Sequence, residues 1–522
     1  MDVATISRVN PALGRFYKRA RPFDIVIGNS AVSTGETTRW TCFVRPSGGA
    51  IKSVRFELHP TFSERVVVVD TAPFQITRVG WGVFTVGIVV EDLNGGIHRY
   101  EHLLAFDGAT PSERCETLAP VAGGAEASPI TPRVMTGVSE ALMHGADGVG
   151  KGFAAPRLVV FCAEDARPGY ASMAAHEYRE EANTLRSKVK LLAALVKRSS
   201  RMAAYTGAGI STGAGIADYA SKSKRSVATG TAAEKSGMRA KQARGGGLNA
   251  APTFAHFTLV ELHRAGHLKR WVQQNHDGLP QKAGLPQECI NEIHGAWFDP
   301  SNPVVPMSGH LRGDLCEELE ATIESADLVL AMGTSLCGMN ADRMVEGPAR
   351  RRLERGEGLG AVIVGFQRTS MDEVASLRIF ERIDKVMLLL AVELGLPTPG
   401  RVVRPVPIAR SNTTAQRHVY MVPYDADGKR LVGAAAADPA QWLRWSLKRG
   451  SALKLTAGPG DGFVGTVDRV PSRGECAYLT CFPNTREGSA SFGKVASQYA
   501  LGEWWVSAAC RGAIPLLPVV NA

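Results

Sequence analysis

The sequence has little that would tie it to a membrane, an oxidising compartment or a metal. No apolar run among its 522 residues approaches the ~20 needed to span a bilayer. The opening stretch, MDVATISRVNPALGRFYKRARPF, lacks an apolar h-region, so no secretory signal is expected. There is no C-x-x-C pair, and the nine cysteines are an odd number. That argues against a disulfide framework and a cysteine-rich zinc site, and predicts reduced, intracellular thiols. No block of one charge sign stands out either. The net charge of +10 is spread along the chain and favours anionic partners: nucleic acid, chromatin or an anionic cofactor. Lys18, Arg19 and Arg21 form either a small nuclear-import patch or a solvated basic tail.

What is present is organised in blocks. The length predicts roughly three or four domains. Residues 25–106 read as an all-β unit. Trp40, Cys42 and Val44 alternate with polar neighbours, as do Val54, Phe56 and Leu58, and VVVV at 66–69 reads as a buried strand. Many short strands in about 100 residues predict an immunoglobulin-like β-sandwich. Residues 109–154 are rich in Gly, Ala, Pro, Ser and Thr and read as a flexible linker. Within it Gly145-A-D-G-V-Gly150-Lys151 imitates a phosphate loop, but Gly152 stands where a hydroxyl is needed.

From 175 onward helix and strand patterns alternate. HEYREEANTLRSKVKLLAALVKRS has helical spacing, MAAYTG is a short strand, and RWVQQN, LVLAMG and AVIVGF are further strands between helices. The expectation over 155–397 is a Rossmann-like, doubly wound parallel sheet. Residues 398–522 predict a small β-rich region, from HVYMVP, FVGTVDRV, CAYLTCF and EWWVSA, with no role assigned. Its Trp442, Trp445, Trp504 and Trp505 are most simply core residues. Asp425-Ala-Asp427-Gly428 reads as a hairpin turn, the later calcium ligands being missing.

The chemistry begins at YTGAGISTGAGIADYAS, residues 205–221. Gly207, Ala208 and Gly209 follow a strand, and Gly213 comes one residue late for the dinucleotide fingerprint, ahead of Gly215. The loop can present backbone N–H groups to a pyrophosphate. Gln274-Asn275-His276-Asp277 lies just past another strand, where an α/β enzyme places ligand-binding groups. Asn275 and Asp277 can pair with a carboxamide such as that of nicotinamide. Glu292-Ile293-His294-Gly295 supplies an imidazole that titrates near neutrality and can take a proton from a ribose hydroxyl. Gly333-Thr334-Ser335 ends a further strand with hydroxyls for phosphate or ribose. His263 and His267 are four apart but lack the glutamate of a metalloprotease motif.

These ordered motifs, with Pro252-Thr253-x-x-His256 and Arg264-Ala265-Gly266, resemble the sirtuins, NAD-consuming protein deacylases, over about 175–397. The resemblance implies NAD bound by Gly207, Ala208, Gly209, Ser211, Gly215, Asp218, Tyr219, Gln274, Asn275, Asp277, Gly333, Thr334 and Ser335. It implies His294 and Asn275 as catalytic residues. The acyl oxygen of an acyl-lysine would attack C1′ of the nicotinamide ribose, and the acyl group would end on ADP-ribose. NAD would thus be broken apart, with no hydride moved. Three departures stand out. Ala296–Leu311 contains none of the family's zinc cysteines, so no zinc is expected and the lobe should be held by packing alone. The family's arginine is Ala220, unless Lys222, Lys224 or Arg225 replaces it. The family's ribose-contacting asparagine is Gly365.

In the front unit, ELHPTF and GWGVF look like a YEATS domain, an acyl-lysine reader, over 20–108. The resemblance implies binding by His59, Thr61, Phe62, Gly80, Trp81 and Gly82, with Phe62 and Trp81 sandwiching the flat acyl amide. The joint expectation is an NAD-dependent lysine deacylase with its own reader, acting on acylated histone tails or other acyl-lysine proteins at chromatin in the nucleus or cytoplasm, and not at a membrane. An ADP-ribosyltransferase and an inactive NAD-binding reader are the alternatives.

Overall fold

The computed structural model describes residues 23–33, 38–47, 51–58, 62, 64–80, 84–92, 97–104, 106, 112–118, 134–135, 138–171, 173–218, 220–222, 226, 248–306, 309–397, 417–472, 474–486 and 489–522. It forms two compact units, 1–129 and 130–522.

The first unit is built of eight described strands: β1 (Phe23–Ser33), β2 (Thr38–Ser47), β3 (Ile51–Glu57), β4 (Val66–Val69), β5 (Phe74–Gly80), β6 (Thr85–Asp92), β7 (Ile97–Leu103) and β8 (Ser112–Leu118). They pair antiparallel in two sheets, ordered β5-β2-β1-β8 and β4-β3-β6-β7. Side chains from both sheets, Ile25, Ile27, Trp40 and Cys42 with Val54, Phe56, Val86 and Ile88, share one core. Their period of two places every second residue on that face. Two expectations need correction. β4 is an edge strand whose Val66 and Val68 are exposed, because only one of its faces meets the core. The stretch read as linker begins with β8, which pairs with β1 along seven residues. Its polar sequence, SERCETL, hid a strand that lies at a sheet edge.

The second unit starts earlier than expected. Met135 N donates to Pro156 O, and Ala146 N and Asp147 N donate to Ala375 O and Ser376 O at 2.9 and 2.8 Å. So 134–135 and 138–154 are packed structure as well. The phosphate-loop look-alike lies within that packing, with Gly145 wedged against the Leu377 backbone. Strands β9 (Arg157–Val160) and β10 (Glu177–Arg179) pair antiparallel. The helix expected from His176 therefore begins only at Ala182, where Glu181 caps the N–H groups of Asn183 and Thr184. It buries Leu185, Val189, Leu192 and Val196 along one stripe.

Six strands then form one sheet: β11 (Met202–Thr206), β12 (Leu268–Gln273), β13 (Ile290–Glu292), β14 (Leu328–Met332), β15 (Gly360–Val364) and β16 (Leu377–Ile379). All neighbours are parallel, in the order β13-β12-β11-β14-β15-β16. Counted from β11 this is the 3-2-1-4-5-6 order of a dinucleotide-binding sheet, whose crevice opens where the order reverses, between β11 and β14. Met202 and Ala204 face one core with helices Ala182–Arg198, Phe254–Arg264 and Ile383–Leu394. Ala203 and Tyr205 face another with helices Gly313–Ser325 and Arg343–Arg355. Burial on both faces explains why these strands read as unbroken apolar runs.

The C-terminal part contributes β17 (Val419–Val422), β18 (Leu443–Ser446), β19 (Ala452–Leu455), β20 (Val464–Arg469), β21 (Ala477–Pro483), β22 (Ala496–Gly502) and β23 (Val519–Asn521). Five of them form the sheet β22-β21-β20-β19-β23. Asp425 indeed closes a turn, its carboxylate accepting from the Asp427 and Lys429 N–H groups. EWWVSA, expected as strand, is instead the start of the helix Glu503–Cys510. Every residue from Trp504 to Cys510 is buried, so apolar surroundings on all sides override the β preference of its aromatic and branched residues. Among the described residues no helix is long and apolar enough to cross a membrane.

Candidate active site

At the β11–β14 crevice two stretches of backbone approach each other closely. Gly207 N donates to Met332 O and Gly209 N to Gly333 O. A Cβ on Gly209 would stand 2.7 Å from Gly333 Cα. Gly333, at φ +64°, has no room for one either, since it would lie 2.5 Å from Ile210 N. Two chain segments thus touch backbone to backbone, which only glycine permits. The loop then runs through two short turns, Ala208–Ile210 and Thr212–Ala214, closed by Gly215 in the left-handed region. The N–H groups of Gly207, Gly209, Ile210 and Ser211 are all bonded within the protein.

A cleft of about 150 Å³ opens beside this contact. Its wall includes Ala208, Gly209, Asp218, Gln274, Gly333, Thr334 and Ser335 of the expected set. Gly207, Ser211, Gly215, Asn275, Asp277 and His294 do not line the cleft; the bonds of Ser211, Asn275, Asp277 and His294 brace its wall. Ser211, fully buried, donates to Asp277 Oδ2 at 2.7 Å, and Asn275 Nδ2 donates to Gly207 O at 3.1 Å and Ser211 Oγ at 3.0 Å. Asp277 Oδ1 accepts from Leu279 N. Gln274 reaches Thr334 Oγ1 at 3.1 Å and also donates to the Tyr205 hydroxyl, which itself donates to Asp342.

His294 follows β13 and hydrogen-bonds to the backbone of Gln274, one residue behind the cleft wall. Burial, with the neighbouring His276 and then Arg167, pushes its pKa down to about 4, against the expected value near neutrality. The ring is neutral at physiological pH and free to accept a proton. Glu292, two residues earlier, is pushed up to about 8 by burial, with Asp299 and Asp277 adding to the shift.

The loop after His294 is where zinc cysteines were missed. Phe298 lies in the core of the C-terminal part with Trp504, Trp505 and Leu501. Gly502 N donates to Phe298 O, Arg511 pairs with Glu288 at 3.0 Å, and Trp297 N donates to His276 O. Gly278, at φ +62°, has Phe298 and Trp504 pressed against its open side. Residues 417–522 therefore buttress the loop that carries Asn275 and Asp277. The lobe is held by hydrogen bonds and an ion pair as well as by packing.

Sequence reasoning missed the cleft's cations. Arg167, Arg368 and Arg382 line it beside Ala220 and Gly365. Of the replacements considered for the missing arginine, Lys222 is not in the lining, and Lys224 and Arg225 lie outside the described residues, as does Tyr219. Arg368 and Arg382 follow β15 and β16, so the strand-end rule could have flagged them; Arg167 lies in an aperiodic segment with no signal.

In the first unit, Phe62 packs at 5.5 Å from Phe84 and edge-on at 6.0 Å to Trp40. A Cβ on Gly80 would sit 3.3 Å from the Trp40 Nε1, a buried donor with no hydrogen-bond partner among the described residues. Trp40 had been read only as a strand residue. His59, Thr61, Trp81 and Gly82 lie outside the described residues.

Comparison with known proteins agrees with this division. A YEATS family model matches residues 35–108 and a Sir2 family model residues 207–301. The NAD-dependent protein deacetylase SRT1 of Arabidopsis thaliana is 28% identical over 260 residues, covering 43% of this chain and 52% of its own. NAD-dependent protein deacetylase sirtuin-7 of Homo sapiens is 29% identical over 270 residues, with 43% and 64% covered. A protein AF-9 homolog of Eremothecium gossypii is 37% identical over 103 residues, with 16% and 49% covered. The chain spans less than two-thirds of each of these relatives.

Proposed function

We propose, from the premise that this chain joins a YEATS-family domain to a Sir2-family domain, that it is an NAD-dependent protein-lysine deacylase with an attached acyl-lysine reader. The observation that carries this reading is the meeting of Gly209, Gln274 and Gly333 at the sheet's crevice, with His294 bonded directly behind. NAD is the co-substrate. The acyl oxygen of the lysine amide attacks C1′ of the ribose, the C1′–N bond breaks, and nicotinamide leaves. Neutral His294 takes a proton from a ribose hydroxyl, which adds to the acyl carbon. Water enters, the lysine amine is released, and the acyl group remains on ADP-ribose.

Asn275 and Asp277 hold the carboxamide, exchanging their present bonds to Ser211 for it. The lobe needs no zinc on this reading, because Phe298 is anchored in the C-terminal core. The first unit, read as an immunoglobulin-like sandwich, binds an acyl amide through Phe62 and Gly80 and, as the family resemblance implies, His59, Thr61, Trp81 and Gly82. Histone tails at nuclear chromatin are the proposed targets, supported by the +10 net charge. Turnover of a panel of acyl-lysine histone peptides with NAD, read by mass spectrometry, tests this. Acyl-ADP-ribose with free lysine supports it. ADP-ribosylated protein would point to a transferase, and no nicotinamide release to an inactive pocket.

A further inference from the structure

A dinucleotide brings a pyrophosphate into the cleft. The N–H groups of Gly207, Gly209, Ile210 and Ser211 are already bonded within the protein, so much of that charge falls to side chains. Among the described residues four arginines line the cleft: Arg167, Arg368, Arg378 and Arg382. Arg378 is a strut. It is fully buried, its Nε donates to Asp372 at 2.7 Å, and its Nη1 donates to the carbonyls of Ile363, Gly365 and Ile379. The charge of Arg368 is felt at Arg378 and Tyr178, and that of Arg382 at Asp384. The charge of Arg167 is felt elsewhere, at His294 and Asp342. Asp342 accepts from the Tyr205 hydroxyl at 3.0 Å and from Gln274 Nε2 at 3.3 Å. Arg167 therefore faces the crevice between β11 and β14, where a sheet of this order holds a dinucleotide.

A short hairpin delivers Arg167 there. Asp165 pairs with Ala174, Ala166 N donates to Met173 O at 3.0 Å, and Ala175 N donates to Glu164 O at 2.7 Å. The tip is Arg167-Pro168-Gly169-Tyr170, closed by Tyr170 N donating to Arg167 O at 3.3 Å. Proline at the second position and Gly169 at φ +85° at the third are the pattern of a type II turn. The guanidinium lies 5.4 Å from the Tyr170 ring centre.

Two contacts pin this hairpin to the cleft wall. Ala171 N donates to Cys337 O at 3.1 Å, just beyond Thr334 and Ser335. Cys162, Ala166 and Ala175 are buried together, and Ala220 packs against them. The Ala220 carbonyl in turn accepts from Gln367 Nε2 at 3.0 Å, and both residues line the cleft. Arg167 thus directly follows a member of the cluster that Ala220 touches.

We propose that Arg167 grips the dinucleotide's pyrophosphate, bringing from a distant hairpin the charge that Ala220 cannot carry. A guanidinium can meet a phosphate through two parallel N–H bonds, which lysine cannot. The inference rests on reading the cleft as a dinucleotide site. Calorimetric titration of the full chain with ADP-ribose, at low and high salt, tests it; a melting curve on each variant checks that it folds. Arg167→Gln is expected to weaken binding by at least about tenfold, as the loss of charged hydrogen bonds implies. Arg167→Lys should weaken it less, keeping the charge and losing the fork. Wild-type affinity should fall more steeply with salt than that of Arg167→Gln, because the ion pair is what salt screens. Lys222→Gln, outside the lining, should bind as wild type does. Folded Arg167→Gln binding as tightly as wild type would overturn the proposal while leaving the dinucleotide reading intact. So would equal salt dependence of the two, or an equal loss in Lys222→Gln. Should the glutamine variant not fold, Arg167→Lys binding as tightly as wild type is the overturning result. If the wild-type chain does not bind ADP-ribose at all, the dinucleotide reading falls as well.

Discussion

The cleft and the hydrogen-bonded cluster behind its wall are built on different terms. Behind the wall, Asn275, Asp277 and Ser211 are closed into one hydrogen-bonded set, and Trp504 and Phe298 press on Gly278 from the C-terminal part. In the cleft itself the backbone is open at Gly365, and the buried Arg368 Nε has no hydrogen-bond partner among the described residues. The cluster's polar groups are paired within the protein, while the cleft keeps an unpaired buried donor among the described residues and a stretch of open backbone.

The largest effect should come from His294→Ala, which is expected to lower NAD-dependent deacylation by about 10²–10⁴-fold while nucleotide binding changes little. Turnover equal to wild type would remove the imidazole from the mechanism. Trp504→Ala should destabilise the second unit by about 3–5 kcal/mol, measured by denaturant unfolding, because it empties the packing behind Gly278. A loss within 1 kcal/mol, near the scatter of surface substitutions, would mean the C-terminal part is not a buttress. Gly333→Ala forces a side chain into the left-handed region and against Ile210 N, and should cost about 2 kcal/mol or more.

The pH dependence sharpens the comparison next. Glu292 has a folded pKa of about 8 against an ordinary 4.5, so the folded chain holds a proton that the unfolded chain has released. Its contribution is complete below 4.5 and is lost as pH rises through about 8. His144, His256 and His294, each pushed down from 6.5 to about 4, act the opposite way: their stabilisation is lost as pH falls through that window. Thermal melts between acid and alkaline pH should show both limbs, and Glu292→Gln should flatten only the alkaline one. The smallest effect belongs to Gly365→Ala, which should leave stability within about 0.5 kcal/mol. A large loss there would show that the cleft is not open at Gly365.

Much of the fold was legible because it is periodic. The apolar runs MAAYT, LVLAM and GAVIV are buried on both faces and could only be central parallel strands. The polar edge strand β8 and the wholly buried helix Glu503–Cys510 were misread, since an edge needs few apolar residues and a helix buried all round has no stripe. At the site, glycine loops and the Q-N-H-D run announced themselves by position after strands. Arg167 did not, because no local pattern marks a side chain that arrives from a distant, aperiodic segment.

The order of residues alone determined that there would be a β unit ahead of an alternating α/β sheet, and that glycines 207, 209 and 333 would sit at strand ends. Those are consequences of side-chain spacing and backbone freedom, which are local. Only the tertiary structure decided that the C-terminal part braces the loop of Asn275 and Asp277, that His294 is kept neutral, and that arginines from distant segments share the lining of one cleft. Burial, charge and close approach depend on which distant segments share a volume, and no window of sequence contains that information.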